Sequence, residues 1–143
     1  MNPVVQIAAA FFGSLGFALL FGLRRRYLLP ASLGGMLSWA LYLLLEHLLA
    51  SSFLACCAAS AFSMVYAELL SHIMHCPTTL FVIPAIIPLV PGSSLYYAMS
   101  FAVQRDMASA RAYGSQTLEL ALAIAAGMSF VLACRELHTR QKS

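Results

Sequence analysis

The sequence predicts an all-α, polytopic membrane protein of about five transmembrane helices, and three observations carry that reading. Hydrophobic residues make up 62% of the 143 positions and charged residues only 9%, too little surface charge for an ordinary soluble domain. The apolar residues fall into long runs separated by short polar or basic stretches, as spans separated by loops do. The fourth run, 79–103, is apolar enough for a bilayer yet carries Pro84, Pro88, Pro91 and Gly92, which an unbroken helix does not accommodate. We therefore expect a single transmembrane domain over 1–143 whose fourth helix is broken.

The first span, 4–23, is uncharged and about 30 Å long as a helix, which matches the hydrocarbon thickness. It lacks the basic region and cleavage pattern of a signal peptide and is expected to stay in the mature protein. Arg24, Arg25 and Arg26 follow at once; such a cluster holds its end of the span in the cytoplasm and leaves the amino terminus outside. The second span, 28–49, is leucine-rich, with Trp39 and Tyr42 along it and Glu46-His47 near its outer end, where a solvated role is expected. A turn at Ser51-Ser52 leads to the third span, 53–73, which makes the pair an antiparallel hairpin. After the broken fourth span, 79–103, the polar stretch 104–116 is a link to the fifth, 117–134. Five crossings place the arginine triplet and the basic tail, Arg135, Arg140 and Lys142, on the same cytoplasmic side.

Small residues recur at every fourth position in three spans: Ala10, Ser14, Ala18 and Gly22; Ser51, Ala55, Ala59, Ser63, Ala67 and Ser71; Thr117, Ala121, Ala125, Ser129 and Ala133. Each ladder marks a face where another helix approaches closely, so the chain is expected to dock with another protein or with copies of itself. The second span has no such ladder and is expected to face lipid. A net charge of +3 arises mostly from arginines outside the apolar runs, a topology signal rather than a nucleic-acid surface, and no nucleic-acid partner is expected. Cys56, Cys57, Cys76 and Cys134 lie in or beside apolar segments without scaffold spacing, and no disulfide is predicted.

The broken run is the candidate binding site. Pro84, Pro88 and Pro91 remove backbone donors, so the carbonyls of Leu80, Pro84 and Ile87 lose their usual partners. Hydrocarbon cannot satisfy them, and irregular backbone at membrane depth belongs at a cavity or a protein contact. Near Pro91 and Gly92 one half-helix ends. Ser93 and Ser94 are expected to cap a second, starting near Leu95, whose N–H groups favour a carboxylate while the freed carbonyls favour an ammonium group. Tyr96 and Tyr97 would add hydroxyl contacts or gate the site; the bland alternative is a proline kink that only shapes packing. Glu68, an ionisable residue within a span, and His72 one turn on are the candidate proton-coupling pair. His72, His75 and Cys76 have the chemistry of metal ligands without the spacing, no cofactor is expected, and no enzymatic arrangement stands out.

The run Cys76-Pro77-Thr78-Thr79-Leu80-Phe81-Val82-Ile83-Pro84, with Ile86-Ile87-Pro88-Leu89-Val90-Pro91-Gly92 and Tyr96-Tyr97-Ala98-Met99 after it, resembles the signature of the smaller half of the threonine/serine exporter family. The resemblance covers nearly the whole chain. Ala85 stands where relatives often have glycine, and Ser93-Ser94 replaces a more glycine-rich stretch. The resemblance implies one subunit of a bacterial inner-membrane exporter for threonine, serine or a small dicarboxylate, working with a larger partner subunit. The alternative is a non-transporting scaffold that stabilises such a partner.

Overall fold

The computed structural model describes residues 2–140, and among these there is no strand. Six α-helices follow one another: α1 (Pro3–Leu20), α2 (Arg25–Leu49), α3 (Ser52–Met74), α4 (Thr79–Ile86), α5 (Gly92–Val103) and α6 (Met107–Arg140), with a 3-10 turn at Ile87–Leu89 between α4 and α5. Four of them, α1, α2, α3 and α6, are long and apolar enough to cross a membrane. The segment Thr79–Leu89 meets Gly92–Val103 at 51° and adds a fifth if the bent pair is one span.

The ends of the helices follow from their residues. Gly22, at φ 65°, turns the chain out of α1, and the Leu23 N–H reaches back to the Ala18 carbonyl. Ala50 in the left-handed conformation closes α2, and the Ser51 hydroxyl accepts from the Leu54 N–H to start α3. His75, also left-handed, closes α3; the Cys76 N–H bonds to the Ser71 carbonyl, and the Ser71 hydroxyl donates to the Cys76 carbonyl. Asp106 caps α6 by accepting from both the N–H and the hydroxyl of Ser109. Those two bonds hold its carboxyl below the usual aspartate range.

Helix α2 occupies the centre, packed against α1, α3, α4 and the 3-10 turn. This corrects the expectation that it has no small-residue packing face, while its leucines Leu29, Leu33, Leu37, Leu44 and Leu48 are exposed. Its buried side is Ala31, Ser32, Gly34, Gly35 and Ser38, a small-residue face at spacings of three and four that the surrounding leucines obscure in the sequence. Ser38 shares a 2.7 Å hydrogen bond with Ser63 of α3, and the Tyr66 hydroxyl donates to the Pro30 carbonyl at 2.8 Å. A Cβ on Gly34 would meet the Tyr66 ring at 2.8 Å and the Ala85 methyl at 3.2 Å, so Gly34 is what admits alanine at position 85. Ala18, Ala31, Ala67 and Phe81 form the core where α1 to α4 converge.

Helix α6 lies on α3 and α5. It starts at Met107, so most of the polar stretch 104–116 is its first turns rather than a link. At 34 residues it is about 50 Å long, more than a bilayer core requires. Its packed face carries Ala123 and Gly127, whereas Ala121, Ala125 and Ser129 are exposed. The ladders of α1 and α3 are buried at Ala10, Ser14, Ala18, Ala55, Ala59, Ser63 and Ala67, whereas their end residues are not: Gly22 is exposed and Ser51 and Ser71 are half-buried. Lys142 of the basic tail lies outside the described residues.

Candidate functional site

The prolines produce a break in three parts. Helix α4 continues past Pro84 to Ile86, the chain tightens into the 3-10 turn, and Pro91 then separates that turn from α5. The tightening changes the fate of the expected free carbonyls. The Ile87 carbonyl accepts from the Val90 N–H at 3.2 Å, because an i to i+3 bond replaces the donor that Pro91 lacks. The Pro84 carbonyl lies against α2, 3.0 Å from where a Cβ on Gly35 would sit. The Ser14 hydroxyl borders the same spot, fully buried and without a hydrogen-bond partner.

Helix α5 begins at Gly92 rather than near Leu95, so Ser93 and Ser94 belong to its first turn and make no side-chain cap. The Gly92 N–H goes to the Val90 carbonyl at 2.7 Å, and the Leu95 N–H to the Pro91 carbonyl at 3.1 Å. Between them, the N–H groups of Ser93 and Ser94 have no acceptor among the described residues. A helix start with unspent donors and the positive end of its dipole is suited to an anionic group.

These two residues open onto a cavity of about 220 Å³. The break supplies Pro88, Leu89, Val90, Pro91, Ser93 and Ser94; α2 supplies Trp39 and Tyr42; α3 supplies Cys56; α6 supplies Gln116 and Leu120. The volume is below the ~300–1,000 Å³ of drug-sized sites and suits a small metabolite. None of the lining residues is an acid, lysine, arginine or histidine. Recognition of charge there must come from hydroxyl, amide and backbone dipoles.

The break, the cavity and the helices around it belong to a span of sequence that one family model covers. That model, described as Threonine/Serine exporter, ThrE, matches residues 6–134. The chain belongs to the threonine/serine exporter family. No curated protein and no solved structure matches it. Family membership makes the chain a transport component of the membrane rather than a soluble protein, in agreement with its apolar helices.

Of the residues that the sequence singles out, Pro88, Pro91, Ser93 and Ser94 come together at the cavity. Gly92 is exposed beside it, and a Cβ there would meet nothing within 4 Å. Pro84 is buried against α2 and borders a separate small cavity with Leu80 and Phe21. Tyr96 and Tyr97, on α5, are both exposed and do not line the cavity. The Tyr97 ring packs on Tyr113 of α6 with centroids 5.5 Å apart, so in this exporter chain it ties α5 to α6.

Glu68 lies on the far part of α3, where its carboxylate accepts from Arg135 of α6 at 3.0 Å. His72, one turn on, is exposed. Among the described residues no three metal-ligating side chains converge.

Sequence reasoning missed Trp39, Tyr42, Cys56 and Gln116, and it set Glu46 aside as solvated. The Glu46 carboxylate is half-buried and accepts from both the Tyr42 hydroxyl, at 3.1 Å, and the Ser52 hydroxyl, at 3.0 Å. The stacked pair Trp39 and Tyr42, three residues apart on one helix face, was the available signal.

Proposed function

We propose that this chain is one subunit of a proton-driven exporter in the bacterial inner membrane, releasing threonine, serine or a related small carboxylate with a larger partner subunit. The observation that carries the reading is the cavity at the break, small, lined by donors and free of ionised side chains. A zwitterion places its carboxylate at the first turn of α5, by the Ser93 and Ser94 N–H groups and hydroxyls. Its ammonium group turns toward backbone carbonyls of the break. A dicarboxylate leaves one charge unmatched in this chain, so its export requires positive charge from the partner.

Proton entry acts at Glu68. A proton there cancels the charge that Arg135 pairs with and loosens the tie between α3 and α6, the helix that carries Gln116 to the cavity. His72 is the relay toward the cytoplasmic end. The amino terminus is outside and the carboxyl terminus inside, and the exposed small-residue face of α6, with Ala121, Ala125 and Ser129, is where a partner helix approaches. The same face supports the scaffold alternative.

The test is efflux of labelled threonine, serine and succinate from loaded cells that express the chain with its larger partner, the chain alone or the partner alone. Efflux of an amino acid that needs both chains supports the proposal and names the substrate. Equal efflux from the partner alone makes the chain a scaffold.

A further inference from the structure

Trp39 stands between two cavities. On one side is the 220 Å³ site at the break; on the other is an open groove of about 400 Å³ lined by Gln6, Ala10 and Gly13 of α1, with Ile87. Trp39 and Pro88 line both, so these two side chains are the partition. The groove continues toward the end of α2, because Gln6 also borders a further cavity of about 400 Å³ that holds Glu46 and His47. Three hollow spaces thus run in series along α2, joined by shared walls.

The partition is not at rest in its polar bonding. The indole Nε1 of Trp39 is buried without a partner, although the ring itself stacks on Tyr42 at 5.1 Å. The only other side-chain nitrogen or oxygen in that condition among the described residues is the Ser14 hydroxyl, which faces the same broken segment from α1. A buried donor without an acceptor is costly, and a conformation that leaves two of them beside one break favours movement toward one that satisfies them. Swinging Trp39 aside exposes its N–H to water or to a substrate oxygen and joins the two cavities.

We propose that the Gln6 groove is a second compartment of the substrate path, entered by the same small polar solute that the site at the break holds, and that Trp39 closes it off. This rests on the transport reading above. The groove's small residues on α1 leave room for a solute, and its polar end at Gln6 leads to the half-buried pair Glu46 and His47. Bulk alone explains the closure, so phenylalanine at position 39 keeps it and alanine removes it.

Cys56 is a ready reporter, since it lines the site behind Trp39 and is only 1% exposed. With Cys57→Ala, Cys76→Ala and Cys134→Ala in place, membranes holding the chain and its partner are treated with a small charged methanethiosulfonate. The expected result is slow modification of Cys56 with Trp39 or with Trp39→Phe. Trp39→Ala speeds it by about tenfold or more, as a mostly closed population gives way to a mostly open one. In a second arm Trp39 is intact, Cys56→Ala is added and the thiol introduced by Gln6→Cys is the only one left. The charged reagent modifies it and the exported amino acid slows that reaction. Unchanged Cys56 reactivity in an assembled Trp39→Ala complex overturns the proposal. So does a Gln6→Cys thiol that reacts only with a lipid-soluble maleimide, because the groove then holds lipid or a partner helix. Both arms read labelling rather than efflux, so a wild-type complex that exports nothing fails the functional reading separately.

Discussion

Glu68 and Arg135 are far apart in sequence, and a single sequence reads one as an intramembrane acid and the other as a topology signal. Their 3.0 Å contact makes them one unit across α3 and α6. Glu68→Gln keeps the size of the side chain and removes the charge that a proton would cancel. Under proton coupling, efflux then loses its dependence on an imposed pH gradient while the complex still assembles; gradient dependence equal to wild type contradicts the role given to Glu68. Asp106 offers a separate pH effect. Its folded carboxyl titrates below the unfolded value of about 3.9, so its cap on α6 is fully present above that value and is lost as pH falls through the lowered one. As pH falls below the unfolded value, the thermal midpoint of Asp106→Ala should therefore vary less with pH than that of wild type. Equal pH dependence of the two would remove this role.

At the scale of elements, two glycines set the distances between helices. A Cβ on Gly127 would lie 2.2 Å from the Cys57 carbonyl and 2.1 Å from the Ser60 hydroxyl. Backbone cannot yield as a side chain can, so α3 and α6 must separate. We expect Gly127→Ala to destabilise the chain by about 1–3 kcal/mol, the usual cost of overpacking. A Cβ on Gly35 would meet the Ser14 hydroxyl at 1.8 Å and its Cβ at 2.7 Å, and Gly35→Ala carries a penalty in the same range of about 1–3 kcal/mol. Gly13 and Gly114, with nothing within 4 Å, serve as controls whose alanine variants stay near wild type in thermal unfolding. The helices themselves were legible as runs of apolar residues, and the small ladders of α1 and α3 were legible as buried faces except at their ends, Gly22, Ser51 and Ser71. The ladder of α6 was not, because spacing marks a face without saying which neighbour covers it. The close-packed face of α6 instead passes through Gly127, and that of α2 through Gly34 and Gly35, neither of which stands out among alanines and leucines.

For the whole molecule, the all-α membrane class follows from composition, and the place of the break follows from Pro84, Pro88, Pro91 and Gly92. What a sequence cannot supply is which side chains from other helices meet that break. Trp39, Tyr42 and Gln116 arrive from α2 and α6, many residues away, and only packing brings them to Ser93 and Ser94. The proline rule also overcounted free carbonyls, because the 3-10 turn gives Ile87 a new donor. The central claim is that the substrate passes through this cavity. Its most direct test compares two neighbouring substitutions in the efflux assay: Ser94→Leu, which fills the cavity, and Gly92→Leu, whose Cβ enters open space. The account predicts that Ser94→Leu abolishes efflux while the complex assembles and that Gly92→Leu retains most of it. Wild-type efflux from Ser94→Leu would place the path elsewhere and leave the break a matter of packing.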